Sequence, residues 1–381
     1  MKSGRELFFA LERLVASGRP CVLLAAGANE ATSRAVASHT GSMLSADDAI
    51  DSACEDIGVV RVRSVAAAVR ALRGMLAPSR SRGPRVAAIA DGGGAAVLAA
   101  DACVASGLSV PAFDAALRAR VQERLPPGGG TQNPVDAVGV LCLTDMQPAI
   151  EAVLESDEVD AVLLAGALNN VDAVAEDVDR ASVAQIVARA TATGKGLAVA
   201  TFYPQEVALR EFARLGVPVS TDAVACAQIL RDGAVRAPRR PLPHLGAATG
   251  ASLPDAGYFA SRRAFEALGV PFLPAAEVRA ADDAVAAADR IGYPVVLKAL
   301  GLLHKSDAGG VVVGIRNAAE LRARVAELTA RLAPPSFSVE AMAATVDGVE
   351  LLVGCVRQPG VGPVIAVGIG GTLTEILHDT V

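Results

Sequence analysis

The sequence has no tryptophan, and aromatic residues make up only 3% of its 381 positions, so it offers no platform on which unpaired bases could stack. It also lacks an excess of positive charge. Lys and Arg number 35 against 41 Asp and Glu, a formal net charge of −6, which excludes a basic phosphate-tracking face and with it a nucleic-acid partner. The six cysteines, Cys21, Cys54, Cys103, Cys142, Cys226 and Cys355, lie far apart, with no CxxC pair and no histidine at zinc-ligand spacing. They read as small buried hydrophobes of a reducing compartment. No apolar run approaches the roughly 18 residues of a membrane span. Charges interrupt the N-terminal MKSGRELFFALERLVASGRP too often for a secretory signal. The expected location is therefore the cytoplasm, with no membrane partner.

What is present is a chain of 52% hydrophobic and 20% charged residues, long enough for two or three globular domains. Two stretches without apolar periodicity divide it: LAPSRSRGPR at 76–85 and VRAPRRPLPHLGAATGASLP at 235–254. The expected segments are 1–76, 84–234 and 254–381, with 235–253 a linker. The middle one alternates continuous apolar runs, at 86–90, 135–139, 161–167, 197–202 and 217–220, with helix-length connectors. Continuous runs are strands covered on both faces, and long connectors make them parallel, so a doubly wound α/β domain of about five strands is expected. The first segment offers only two such strands, 21–27 and 59–63, among helices near 5–17, 30–38 and 47–56. Two strands leave both edges open, so this segment is expected to be part of a domain. The last segment combines helices at 257–269 and 280–292, a strand at 294–300, a strand opened by two glycines at 309–315, a helix from AAELRARVAELTARL, and strands FSVEAMA and VELLVGCV.

Lys298 lies in the apolar run PVVLKAL, where a strand places its ammonium in a cleft that calls for an anion such as phosphate. An edge-strand lysine reaching out to water is the alternative. The loop that follows packs His304, Lys305, Ser306 and Asp307 ahead of Gly309 and Gly310, a composition able to present amides and cations to phosphates. No GxxxxGK[ST] loop occurs. Upstream, Gly92, Gly93 and Gly94 follow a strand and open a helix, where a backbone can approach an anion, although a plain strand-to-helix turn has the same form. Asp91, at the same turn, would repel phosphate or cap the helix. His39, in VASHTGSML, stands at the end of an expected helix, as a dipole partner or as a reactive imidazole.

GYPVVLK at 292–298, HKSDAGGV at 304–311, VEAM at 339–342, GVELLVG at 348–354 and GIGGTLTEIL at 368–377 together resemble an ATP-grasp domain. The resemblance implies that Lys298 contacts nucleotide phosphate, that the stretch with Glu340 and Met342 borders the adenine, and that Glu350 lies near the nucleotide. The stretch AAGANEATSRAVASHTGSMLSADDAIDSACEDIGVVRV resembles the phosphohistidine segment of the ADP-forming acyl-CoA synthetases, the superfamily that includes succinyl-CoA synthetase. ADGGGAAVLAADA and the NPVD at 133–136 resemble later parts of the same family.

The fold so implied is α/β: doubly wound flavodoxin-like parallel-sheet domains followed by a partial ATP-grasp α+β domain. The implied activity interconverts acyl-CoA, ADP and phosphate with carboxylic acid, CoA and ATP through a phosphohistidine. His39 would carry the phosphoryl group and the 92–94 turn would receive it. His304 would relay it or donate a hydrogen bond to it. ATP or ADP, Mg²⁺ and coenzyme A are the implied cofactors, with Glu375 the candidate metal ligand. The implied partners are a small-molecule carboxylate or acyl-CoA, and a second copy or a separate CoA-binding subunit. Departures from the family pattern are also expected to matter: the CoA-binding domain and the glutamate that steadies the phosphohistidine would precede Met1, the metal-holding positions would follow Val381, and Asp91 stands where asparagine is usual. Two further functions fit parts of the pattern, a non-catalytic nucleotide- or acyl-CoA-sensing module of the kind attached to protein acetyltransferases, and an ATP-grasp carboxylate-amine ligase.

Overall fold

Charges fall between the apolar residues of the N-terminal stretch at helical spacing, and Gly4–Ala16 forms helix α1 with Phe8 and Val15 buried. Val22–Leu24 (β1), Ala46–Ile57 (α2) and Val60–Val62 (β2) follow, the two strands pairing in parallel with Val22 opposite Val60. Helix α3, Val65–Met75, is an addition to the elements expected from the sequence. Its signal was Ser64, whose hydroxyl accepts the Ala67 amide at 3.1 Å and caps the first turn. This computed structural model describes residues 4–25, 46–138, 143–166, 168, 176–204, 207–242, 257–301, 308–343, 348–358 and 362–370. The helix expected at 30–38 lies outside them.

The middle segment runs Val86–Ala90 (β3), Gly93–Ala105 (α4), Ala115–Gln122 (α5), Val135–Asp136 (β4), Leu143–Leu154 (α6) and Ala161–Gly166 (β5). Glu176–Thr193 (α7), Gly196–Thr201 (β6), Val207–Arg214 (α8), Val219–Ser220 (β7) and Ala223–Gly233 (α9) complete it. The five strands form one parallel sheet in the order β4-β3-β5-β6-β7, as the continuous apolar runs predict. Large side chains such as Met146, Ile150, Ile186 and Phe212 fill one face. The other face is lined by Ala96, Ala99, Cys103, Cys226 and Ala227, small residues that let α4 and α9 lie close to the sheet. Strand order reverses between β3 and β5, the crevice where open α/β sheets place their ligands.

Asn133, in the NPVD stretch, has a structural job here. Its side-chain oxygen accepts the Ala88 amide at 3.0 Å and its amide donates to the carbonyls of Val86 and Pro111 at 2.9 Å each, so the side chain extends the short β4 along the edge of β3. Helices α3 and α9 meet backbone to backbone at Gly74 and Gly233. A β-carbon on Gly233 would sit 2.6 Å from the Gly74 α-carbon, and one on Gly74 would overlap the Ile229 carbonyl.

The chain divides into two compact units, the first formed mainly by Met1–Pro243 and the second mainly by His244–Leu352. In the second, Tyr258–Ala267 (α10), Ala275–Val278 (β8), Ala281–Ile291 (α11), Val295–Ala299 (β9), Val311–Ile315 (β10), Ala318–Leu332 (α12) and Phe337–Ala341 (β11) build an antiparallel sheet in the order β10-β9-β11-β8. Val295, Leu297, Ala299, Phe337 and Val339 turn to one face and pack against Ala284, Ala288, Leu321 and Leu328 of α11 and α12. Leu351–Gln358 (β12) and Gly362–Ile369 (β13) form a separate two-stranded sheet, so the strands read from FSVEAMA and VELLVGCV belong to different sheets. Among the described residues no helix is long and apolar enough to cross a membrane.

Candidate functional site

Alternation along β9 buries Val295, Leu297 and Ala299 in the helix-covered face and turns Lys298 to the opposite one. Strand β9 is internal, flanked by β10 and β11, so the edge-strand alternative for Lys298 is excluded. Directly across, Ser338 is the cross-strand partner of Lys298, and the same alternation sets Glu340 two residues further on the same face. Lys298 Nζ donates to Glu340 Oε2 at 2.7 Å, and Ser338 Oγ donates to Glu340 Oε1 at 2.7 Å. The Tyr258 ring, from the first turn of α10, lies 5.8 Å from the ammonium and its hydroxyl also bonds Glu340.

Burial pushes the Glu340 carboxyl up, but the hydrogen bonds from Lys298 and Ser338 and the lysine charge outweigh it, leaving the group below the ordinary glutamate range. The Tyr258 phenol moves the other way, raised by burial and then by the Glu340 charge. Glu340 is therefore a carboxylate at neutral pH, and the Lys298 side chain remains 28% exposed against 12% for its partner. An accessible ammonium held by a replaceable carboxylate can exchange that partner for an arriving anion.

The connection from β9 to β10 starts and ends beside this pair, because Val311, first residue of β10, is the cross-strand neighbour of Lys298. Gly309 adopts a φ of +63°, and its carbonyl accepts from Arg331 Nη2 at 2.6 Å. The Gly310 carbonyl accepts the Ala299 amide at 2.7 Å and closes the hairpin. Both glycines thus shape the base of the loop that holds His304. Met342, just past β11, is 41% exposed. Glu350 is exposed, with its carbonyl accepting the Gly370 amide at 2.8 Å.

In the first unit, Gly92 is the N-cap of α4, with no side-chain cap, and the turn faces the crevice between β3 and β5. The capping reading of Asp91 is corrected: its Oδ2 accepts the Leu168 amide at 2.8 Å, bridging the ends of β3 and β5. Asp136 also borders the turn. Its Oδ1 accepts the Val138 amide at 3.0 Å, and its Oδ2 would lie 2.8 Å from a β-carbon on Gly93, so a side chain there would have to displace the carboxylate. An anion reaching the amides of Gly92, Gly93 and Gly94 would meet two carboxylates.

His39, His304 and Glu375 lie outside the described residues, among which no group of three or more His, Cys, Asp or Glu is placed to hold a metal. Tyr258, Ser338 and Asp136 escaped the sequence reading. Ser338 could have been found from its two-residue spacing to Glu340, and Asp136 from its place at the end of a parallel strand. Tyr258 comes from a distant helix and gives no local signal.

Residues 1–75 match the succinyl-CoA ligase-like flavodoxin domain, residues 86–207 the ligase-CoA domain and residues 257–381 the ATP-grasp domain. The 4-hydroxybutyrate–CoA ligase [ADP-forming] of Nitrosopumilus maritimus is 26% identical over 95% of this chain and 54% of its own length. The acetate–CoA ligase [ADP-forming] I of Archaeoglobus fulgidus is 28% identical over 100% of this chain and 57% of its own. The chain spans about half the length of these curated relatives. Among solved structures, the apo form of the dinucleotide-forming acetyl-coenzyme A synthetase 1 of Ca. Korarchaeum cryptofilum is similar with a TM-score of 0.49 and 20% identity, covering 60% of this chain and 49% of that one.

Proposed function

Three domains of the ADP-forming acyl-CoA ligases follow one another along this chain, which belongs to that family, and from that premise we propose that it serves the interconversion of acyl-CoA, ADP and phosphate with carboxylic acid, CoA and ATP. His39 is the proposed phosphoryl carrier. A neutral imidazole nitrogen attacks the phosphorus of an acyl phosphate, the carboxylate leaves, and the terminal oxygen of ADP later takes the phosphoryl group and returns the imidazole. The amides of Gly92, Gly93 and Gly94 are the proposed docking turn in the first unit, and His304 the histidine that meets the phosphoryl group beside the nucleotide.

The observation that carries this reading is the partly exposed Lys298 ammonium on the face of the ATP-grasp sheet opposite α11 and α12, beside the base of the His304 loop. Lys298 holds nucleotide phosphate, exchanging Glu340 for phosphate oxygens, while Glu340 and Met342 border the adenine and Glu350 lies near the nucleotide. Gly309 and Gly310 keep the loop base narrow. Mg²⁺ is the usual companion of a bound nucleotide. With Glu375 outside the described residues and no described ligand cluster, no step is assigned to the metal. Coenzyme A would be held outside this chain, by a separate subunit or a further domain, with a second copy the other proposed partner. Domain boundaries near 76–84 and 235–253 and a cytoplasmic location complete the proposal, the latter supported by five described cysteines that are all free.

The test is phosphorylation from γ-labelled ATP with Mg²⁺. Acid-labile, base-stable label on the wild-type chain that disappears in His39→Ala and falls at least tenfold in Lys298→Ala is the expected result. ATP binding with no label, even after addition of a CoA-binding subunit, would overturn it in favour of a sensing module.

A further inference from the structure

Far from either glycine turn, where the C-terminal ends of α2, α4 and α9 converge on the start of β3, lies a pocket of about 360 Å³. Its lining includes Arg82, Arg231, Arg236 and Arg239, with Glu55 the one carboxylate among them. Four guanidinium charges against Glu55 and, behind Arg231, Asp232 leave a local positive excess in a chain whose net charge is −6. Guanidinium groups do not relieve such crowding by losing a proton.

Helix C-termini attract cations, and some of this charge is used that way. Arg231 Nη1 donates to the Ser106 carbonyl at 3.4 Å and its Nε to Asp232 at 2.7 Å. Arg239 pairs with Glu55 at 2.7 Å, both side chains more than half exposed. The remainder is unspent. Arg236 donates one 3.3 Å bond to the Arg231 carbonyl, while its Nε is cut off from solvent and has no partner among the described residues. A buried donor without an acceptor is costly, and here the missing group is an acceptor. Burial works first against the protonated Arg236, the Asp232 and Glu55 charges support it, and those of Arg231 and Arg239 oppose it. Arg82 is exposed at the mouth with no partner among the described residues.

We propose that this pocket is a second anion site, one that binds a small molecule carrying a diphosphate group between Arg82, Arg231 and Arg236. Its volume is at the lower end of ordinary ligand pockets and matches a diphosphate or a compact nucleotide. Planar guanidinium forks fit phosphate oxygens two at a time, which single lysines would not.

The site is tested by calorimetric titration of the full chain, in the Lys298→Ala background so that the proposed nucleotide site is silent. Inorganic pyrophosphate and ADP are the two probes. Saturable pyrophosphate binding that weakens about tenfold or more in Arg82→Gln and in Arg236→Gln is expected. Equal affinity for the two probes would mean that the diphosphate alone is recognised, and tighter ADP binding would mean a nucleotide. Arg82→Gln touches an exposed side chain and keeps the fold should Arg236→Gln lose it. Absence of saturable binding to either probe at millimolar concentration, or binding indifferent to Arg82→Gln, would overturn the proposal. Neither result bears on phosphorylation at His39, so this inference and the proposed function fail independently.

Discussion

Lys298 and Glu340, 42 positions apart in sequence, meet across adjacent antiparallel strands with 2.7 Å between ammonium and carboxylate. Any phosphate that binds Lys298 does so in competition with Glu340, and the two residues are energetically one unit. Replacing Lys298 with Met strands a mostly buried carboxylate and is expected to lower stability by about 1–3 kcal/mol. The double variant Lys298→Met, Glu340→Gln is expected to regain most of that loss. Urea unfolding of the four members of the cycle measures the coupling, and additive losses would show that the pair is only a proximity.

Acid should expose the same pair. Because the folded-state value for Glu340 lies below the ordinary one, the unfolded chain takes up the proton first as pH falls. The contribution is present above the ordinary glutamate value and is lost on acidification through the folded value. Melting temperatures from pH 7 down to pH 3 are expected to fall more steeply for the wild type than for Glu340→Gln. Parallel curves would contradict the assignment.

Asp91→Asn separates hydrogen bonding from charge at the 92–94 turn. An asparagine oxygen can still accept the Leu168 amide, so the bridge between β3 and β5 should survive with little change in melting temperature. One negative charge beside the turn is removed. The proposed docking of the phosphohistidine should improve, read as severalfold faster labelling from acyl phosphate, and slower labelling would count against that turn as a docking place.

Substituting Gly74 with Ala forces a methyl group into the backbone of α9. The helices must part, at a cost of about 1–3 kcal/mol. Differential scanning calorimetry should show the loss, and Gly233→Ala should reproduce it. A neutral result for both would mean that α3 and α9 are free to separate.

Thiol chemistry gives a separate check on burial. Cys103 and Cys226 are pushed up to about 12 and Cys54 to about 11, in each case first by burial. Cys355 is exposed. Under native conditions a thiol reagent should modify Cys355 in a fast phase that falls by one equivalent in Cys355→Ser, while Cys54, Cys103 and Cys226 react only on unfolding.

How far the sequence spoke depended on how local each signal was. The five parallel strands were legible because each is a continuous apolar run bounded by helix-length connectors, and Lys298 because a lone cation interrupts such a run. Which strands pair was less so: FSVEAMA and VELLVGCV are both strands, yet only the first enters the sheet of Lys298, a choice made by packing against Ala284, Ala288 and Leu321. Tyr258 and Asp136 were silent for the same reason, since their roles depend on neighbours that folding brings close. Of the two readings of Asp91, the cap is the one not realised: Gly92 takes the N-cap position, and the carboxylate accepts the Leu168 amide across the crevice.

The edge of β3 beyond the two residues of β4 would otherwise leave a carbonyl and an amide unpaired in the interior, since Val86 and Ala88 are fully buried. Asn133 occupies both, Val86 oxygen and Ala88 nitrogen, with one side chain. A buried backbone group left without its hydrogen bond costs about 1–3 kcal/mol. A single amide therefore completes the ladder where the neighbouring strand runs out, and its replacement by alanine would be felt first as lost stability.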